Sequence, residues 1–179
     1  MTARTERNHT GVDSPAHTDD PHKVQLLLIR HGLVVEDVSG LSAQRSHLSS
    51  KGRKVVRDVG RVLHGLNLSL DAIVVSPMVA TVQTAELLAE RLDFLDVVEV
   101  LHSLGSGIPP QLAAKQISQR GTRVAVVGHE PSLSMLGAYL TARPAFPPLR
   151  PGQVSVIEDG QPLWFIHPET LEQDRLLIA

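Results

Sequence analysis

Arg30 and His31 stand side by side at the end of an apolar run, Val24 to Ile29, and Gly32 follows them. Histidine can act as a covalent nucleophile. An adjacent arginine neutralises the oxygens of an anionic substrate and disfavours the imidazolium form, which leaves the ring free to attack. A second histidine, His129, ends another apolar run in the sequence Gly128-His129-Glu130-Pro131. It can supply a further hydrogen bond to a group in transfer. A phosphoryl group suits this set best. Its transfer depends mainly on positioning and charge stabilisation, so the constellation calls for no metal and no cofactor.

These side chains need elements that bring them to one place. Leu26 to Ile29 lacks polar alternation, as expected of a strand covered on both faces, and Gly32 breaks it. From Lys51, the residues Val55, Val56, Val59, Val62 and Leu63 share one helical face, with Arg53, Arg57, Asp58 and Arg61 on a solvated face opposite. Asp71 to Val75 reads as a second strand. Ser76-Pro77 then opens a helix to about Leu92, with Ser76 as N-cap and Pro77 at the first helical position. A third strand, Val97 to Val100, precedes a helix from Pro109-Pro110 to Gln119, and Arg123 to Val127 gives a fourth strand before the helix that Pro131 opens. Ala142 to Gly152 is proline-rich loop. Val154 to Ile157 and Leu163 to Ile166 then flank Asp159-Gly160, a strong hairpin signal.

Strands alternating with helices predict an α/β fold: a mostly parallel sheet with helices on both faces, in one domain, finished by a C-terminal hairpin. In such a sheet Arg30, His31, Ser76, Ser103 and His129 fall just past strand C-termini, on one rim. Two helix N-termini would face that rim with unpaired N–H groups and partial positive charge, which suits an anion.

Composition narrows the function classes. With 179 residues, 42% hydrophobic and 20% charged, the chain has the make-up of one ordinary globular domain. Absent cysteines exclude disulfides and a cysteine nucleophile, and a formal charge of -2 with 3% aromatics gives no general attraction to nucleic acid and no base-stacking platform. No run reaches bilayer length, so the expectation is a cytoplasmic protein with no membrane partner. Residues 1–22 are polar and aperiodic and read as a disordered tail before a domain at 23–179. Leu33 to Ser50 is a long loop placed to frame the site.

Four motifs in order carry a family resemblance: Arg30-His31-Gly32 after a strand, L-S-S-K-G-R from Leu48 to Arg53, S-P-x-x-x-x-x-Q-T from Ser76 to Thr84, and Gly128-His129-Glu130-Pro131. Together they resemble the histidine phosphatase superfamily, and among its members the small bacterial phosphohistidine phosphatases of the SixA type. The resemblance implies a phosphoglycerate-mutase-like fold. It implies a phosphohistidine intermediate on His31, with Arg30 as phosphate ligand and His129 as second active-site histidine. The substrate it implies is a phosphorylated protein, above all protein phosphohistidine, or a small phosphoester. No apparent insertion domain encloses a metabolite, which favours a protein side chain.

Two positions depart from the family pattern. The second motif usually reads S-P-x-x-R-A-x-Q-T, and Ala80 occupies the arginine position. The acidic proton donor expected after a later strand falls on Ser103, or on Glu99 with a small register shift. Loss of one preorganised donor costs about 10² to 10³ in rate, so reduced turnover or a non-catalytic phosphoryl-binding module are both consistent with the sequence. Arg45, in the long loop, is the candidate replacement ligand. A zinc site on His31 and His129 lacks a spaced third ligand. His64 and His102 are read without a role, and His47, in the long loop, is left open as a neighbour of the site.

Overall fold

The computed structural model of the chain describes residues 23–35 and 45–178. The tail at 1–22 and part of the long loop, 36–44, lie outside the described residues. Seven strands form one sheet: β1 (Gln25–Arg30), β2 (Ala72–Val75), β3 (Val98–Val100), β4 (Arg123–Gly128), β5 (Val154–Glu158), β6 (Gln161–Ile166) and β7 (Gln173–Arg175), in the spatial order β3-β2-β4-β1-β5-β6-β7. The helices are α1 (Ser50–Gly65), α2 (Val79–Arg91), α3 (Pro110–Ile117) and α4 (Ser132–Leu140), with a 3-10 turn at His102–Leu104.

The missing polar alternation of the central strands follows from two separate cores. Leu27, Ile29, Ile73, Val75, Ala125 and Val127 point to one side, where Val56, Val59 and Leu63 of α1 and Ala85 and Leu88 of α2 meet them. Leu26, Leu28, Val74, Val124 and Val126 point to the other, against Ala113 and Ile117 of α3 and Leu133 and Leu136 of α4. Both faces of each strand are therefore apolar, and such burial is the main stabilising contribution.

The sheet is mixed rather than mostly parallel. β3, β2, β4 and β1 run parallel, whereas β5, β6 and β7 pair antiparallel with their neighbours. α4 carries the chain away from the rim, but the proline-rich segment then runs back to it, where the Gly152 amide meets the carbonyls of Arg30 and His31 at 3.1 Å, so β5 starts at the end of β1 and runs antiparallel to it. The β5–β6 hairpin turns at Asp159 and Gly160, both at positive φ (48° and 73°), as the tight turn requires. β7 extends the sheet beyond this hairpin; its three residues are all exposed, so no apolar pattern marked it.

Two local expectations differ. Ser76 does not cap α2, which begins at Val79 after Met78. Ser76 is fully buried and its hydroxyl meets Thr81 Oγ1 at 3.1 Å, while Thr81 Oγ1 donates toward the carbonyls of Ser76 and Met78. Ser76-Pro77 is thus a turn ahead of the helix, with Ser76 buried and Pro77 exposed. Asp58 likewise leaves the solvated face of α1. It is 9% exposed and paired at 2.7 Å with both Lys54 and Arg61. The hydrogen bond from Lys54, helped by both cationic charges and opposed by desolvation, holds its carboxyl below the usual value.

Candidate active site

The parallel pairing of β1 with β4 sets Arg30 opposite Gly128, so His31 and His129 leave adjacent strands at the same end of the sheet. The His31 amide donates to the Gly128 carbonyl at 3.0 Å, which continues the ladder one residue past the strand. Here a crevice of about 390 Å³ opens, lined by Arg30, His31, Pro77, Met78, Gly105, Ser106, His129 and Glu130. The segments entering α2 and α4 form two of its walls, so both helix N-termini face it as expected. A larger cleft of about 520 Å³ between Leu68–Leu70 and Leu92–Asp96 has no cationic lining residue and none of the residues above.

The geometry at His31 fixes its tautomer. Its Nδ1 lies 2.8 Å from the Gly32 carbonyl, which can only accept, so Nδ1 carries the proton and Nε2 keeps its lone pair. Burial lowers the His31 pKa from its ordinary value, the Gly32 carbonyl opposes this, and the charges of Arg30 and His129 add to the lowering. The ring is held neutral.

Two other nitrogens of crevice-lining residues, Arg30 Nε and His129 Nε2, are buried without a hydrogen-bond partner among the described residues. Arg30 is anchored on one edge, where Nη1 donates to the Leu149 carbonyl at 2.8 Å. His129 is 7% exposed, and its Nδ1 lies 3.4 Å from the Glu130 carbonyl, a contact too long to hold the ring's proton firmly. Buried polar groups in folded proteins are almost always partnered, so these two are donors at the crevice wall that the described residues leave unused.

Arg30, His31 and His129 therefore come together, and Arg45 does not join them. Arg45 is exposed and is not among the residues lining the crevice. Ala80 is 1% exposed and packs into the α1–α2 core. Neither acid candidate reaches the crevice. The Ser103 hydroxyl donates to Gln116 Oε1 at 2.6 Å, and Glu99, on the edge strand β3, accepts from Arg120 Nε at 3.1 Å and Nη2 at 3.0 Å. The chain passes the crevice later, at Gly105 and Ser106, because the 3-10 turn carries it beyond the end of β3. His47 and His102 are exposed, and His64 lies 3.4 Å from Asp93 away from the crevice. Among the described residues no three His, Asp or Glu side chains cluster as metal ligands.

The motif residues outside the crevice hold it in shape. Thr84 Oγ1 accepts from the Gly32 amide at 3.1 Å, and Gln83 Oε1 accepts from the Leu48 amide at 2.8 Å. Ser49 caps α1, its hydroxyl accepting from the Gly52 amide at 3.0 Å, and Gly52 packs so closely on Leu33 that a Cβ there would stand 2.1 Å from the Leu33 carbonyl oxygen. The Gln-Thr pair was legible as a motif, but not its task. Leu149 carried no sequence signal, since its part is played by main-chain atoms.

Comparison with known proteins agrees with this fold. The chain has the fold of the histidine phosphatase superfamily, and residues 26–104 match the model of that superfamily's branch 1. The match ends before His129, which the fold places beside His31. The solved structure of the protein histidine phosphatase SixA complexed with tungstate superposes with a TM-score of 0.70 at 22% identity, over 83% of this chain and 100% of that one. A mycobacterial glucosyl-3-phosphoglycerate phosphatase superposes with a TM-score of 0.58 at 16% identity, over 86% of this chain and 97% of that one. Among curated proteins, the mitochondrial serine/threonine-protein phosphatase Pgam5 of Drosophila mojavensis is 33% identical over 90 residues, 48% of this chain and 30% of the relative. Its Drosophila melanogaster counterpart is 31% identical over the same shares. The chain thus spans less than a third of the length of these two relatives.

Proposed function

We propose that the chain is a phosphatase that removes a phosphoryl group from protein phosphohistidine through a phosphohistidine intermediate on His31. The observation that carries this reading is the pair of buried, unpartnered nitrogens, Arg30 Nε and His129 Nε2, beside a histidine whose Nε2 lone pair is free. In the first step His31 Nε2 bonds to phosphorus as the bond from phosphorus to the substrate imidazole breaks, and the departing nitrogen takes a proton from solvent water. Arg30 and His129 hydrogen-bond the phosphoryl oxygens. Water then attacks phosphorus, inorganic phosphate leaves, and His31 recovers its lone pair.

Two features favour a phosphoramidate over an alkyl phosphoester. Among the described residues Glu130 is the one carboxylate lining the crevice, and both of its oxygens already accept hydrogen bonds, from the Leu149 amide and from Ser134. An imidazole is a better leaving group than an alkoxide and depends less on a dedicated acid. The Pgam5 relatives, named as serine/threonine-protein phosphatases, supply the competing substrate class, a protein phosphoester. The cytoplasm is the proposed location. Among the described residues no helix is long and apolar enough to cross a membrane, while the Pgam5 relatives are named as mitochondrial.

Arg45, which does not line the crevice, is proposed to swing in as the second phosphate ligand in place of the arginine that Ala80 replaces. Unchanged affinity of Arg45→Ala for inorganic phosphate would remove it from the site. The absence of a second arginine from the crevice among the described residues also supports one other reading, a phosphoryl-binding module without turnover in a signalling pathway. Phosphate release from a phosphohistidine-bearing carrier domain separates the two. Release that is lost in His31→Ala, with an acid-labile phosphate on His31 by mass spectrometry, supports the phosphatase. Binding of the phosphorylated carrier without release supports the module.

A further inference from the structure

We infer that Glu130 is a positioning residue for Arg30, acting through the main chain of Leu149. Glu130 Oε1 accepts from the Leu149 amide at 2.8 Å, and the carbonyl of the same residue accepts from Arg30 Nη1 at 2.8 Å. The other carboxylate oxygen, Oε2, lies 2.7 Å from Ser134 Oγ and 3.3 Å from the Ser134 amide in the first turn of α4. Glu130 thereby ties the start of α4 to the proline-rich segment, and that segment to the guanidinium. Leu149 itself is 1% exposed, packed among Leu133, Leu136 and Phe146, so its peptide groups have no solvent to fall back on.

The main chain of Arg30 is fixed separately, its amide donating to the Gln153 carbonyl at 3.1 Å and its carbonyl accepting from the Gly152 amide at 3.1 Å. Only the guanidinium depends on Leu149. Bonding through Nη1 leaves the Nε edge directed elsewhere, and Nε is the buried, unpartnered donor. Glu130 therefore fixes the orientation of the Arg30 guanidinium at the crevice wall. This weighs more here than in a site with two arginines, because Arg30 is the sole arginine or lysine among the lining residues. The effect on ligand rests on the phosphoryl-site reading above, whereas the effect on Arg30 does not.

The test uses the full chain, Glu130→Ala, Glu130→Gln, Arg30→Ala and the double variant Arg30→Ala/Glu130→Ala. Rotation of the Arg30 guanidinium is followed by nitrogen-15 NMR, and affinity for inorganic phosphate by equilibrium titration. Glutamine keeps an oxygen for the Leu149 amide. The expected result is a slowly rotating Arg30 in the parent and in Glu130→Gln, and a freely rotating one in Glu130→Ala. Phosphate affinity falls about tenfold in Glu130→Ala, the size of effect usual for a hydrogen bond to a charged group. It stays within about threefold of the parent in Glu130→Gln and falls no further when Glu130→Ala is added to Arg30→Ala. An Arg30 that stays fixed in Glu130→Ala, or a Glu130→Ala loss of equal size in the Arg30→Ala background, overturns the inference. Should Glu130→Ala not fold, Glu130→Gln and Ser134→Ala, which leaves Oε1 in place, must both keep Arg30 fixed; release in either also overturns it. A parent that binds no phosphate sinks the phosphoryl-site reading instead, and the NMR result still decides the role of Glu130.

Discussion

The amide of Gly32 donates to the hydroxyl of Thr84 across 52 residues, at 3.1 Å, and this bond joins the loop that carries His31 to the second turn of α2. Thr84 is fully buried, and its hydroxyl in turn donates to the Ala80 carbonyl at 2.7 Å. One residue earlier, Gln83 holds the Leu48 amide. The Gln-Thr pair thus secures both ends of the loop between β1 and α1 from a single helix. Its place in the motif follows from this geometry rather than from contact with a substrate.

Replacing Thr84 by valine keeps the shape and removes the acceptor. The Gly32 amide is then buried without a partner, at a cost of about 1–3 kcal/mol. Chemical denaturation of Thr84→Val is expected to show that loss, and phosphate release is expected to fall with it because the His31 loop loosens. Thr84→Ser retains the hydroxyl and is expected to keep both properties closer to those of the parent. Equal stability of Thr84→Val and the parent would remove the bond from the account.

Gly52 makes a steric prediction. A methyl group on Gly52 would overlap the Leu33 carbonyl oxygen, which is main chain and cannot swing aside. Gly52→Ala is expected to push the β1–α1 loop away from the start of α1, with overpacking of about 1–3 kcal/mol or more read from a thermal or urea transition. The exposed Gly65, with nothing within 4 Å of a Cβ, is the control. Gly65→Ala is expected to leave the transition within about 0.5 kcal/mol, as surface substitutions usually do.

The strands and helices were legible because the two cores leave both faces of β1, β2 and β4 apolar, and because proline and glycine punctuate the connections. Arg30, His31 and His129 were legible because strand ends and motifs coincide there. Three things were not. The 3-10 turn after β3 takes Ser103 to Gln116, and Glu99, on the edge strand itself, pairs with Arg120, neither of which a pattern in the sequence encodes. Asp58 reads as a surface charge until the ion pairs that accompany its burial are seen. The tie from Glu130 to Arg30 passes through peptide groups, and peptide groups are the same at every residue.

At the opposite rim, Asp71 clamps the turn before β4. Its Oδ2 accepts from the amides of Thr122 at 2.6 Å and Arg123 at 2.9 Å, and from the Thr122 hydroxyl at 3.2 Å. Partial burial works against ionisation, but these hydrogen bonds and the Arg123 charge outweigh it and lower the Asp71 pKa below its ordinary 3.8. A depressed carboxyl contributes stability above the unfolded-state value and loses it as pH falls through the folded-state value. Asp71→Ala is therefore expected to cost about 1 kcal/mol near neutrality, the group being exposed and screened. The gap from the parent should close in unfolding curves taken progressively below pH 4, and a gap that persists there would argue against linkage.

His31 titrates with the opposite consequence. Its pKa is lowered from 6.5, first by burial and then by Arg30 and His129, so the folded protein resists the proton that the unfolded chain accepts. Below the ordinary histidine value the unfolded state binds more protons, and the parent loses stability from about pH 6.5 down to the folded-state pKa. His31→Ala removes that linkage, so its stability is expected to fall less steeply over the same interval. For the proposed reaction the sign is favourable. The nucleophilic neutral ring persists under mildly acidic conditions where an ordinary histidine is charged, so the acid limb of kcat/KM for phosphohistidine hydrolysis is expected below pH 6.5. Arg30→Gln takes away one of the charges that lower the pKa and is expected to move the limb upward while weakening phosphate binding. A limb that stayed in place as binding weakened would assign the pH dependence to burial and His129 alone.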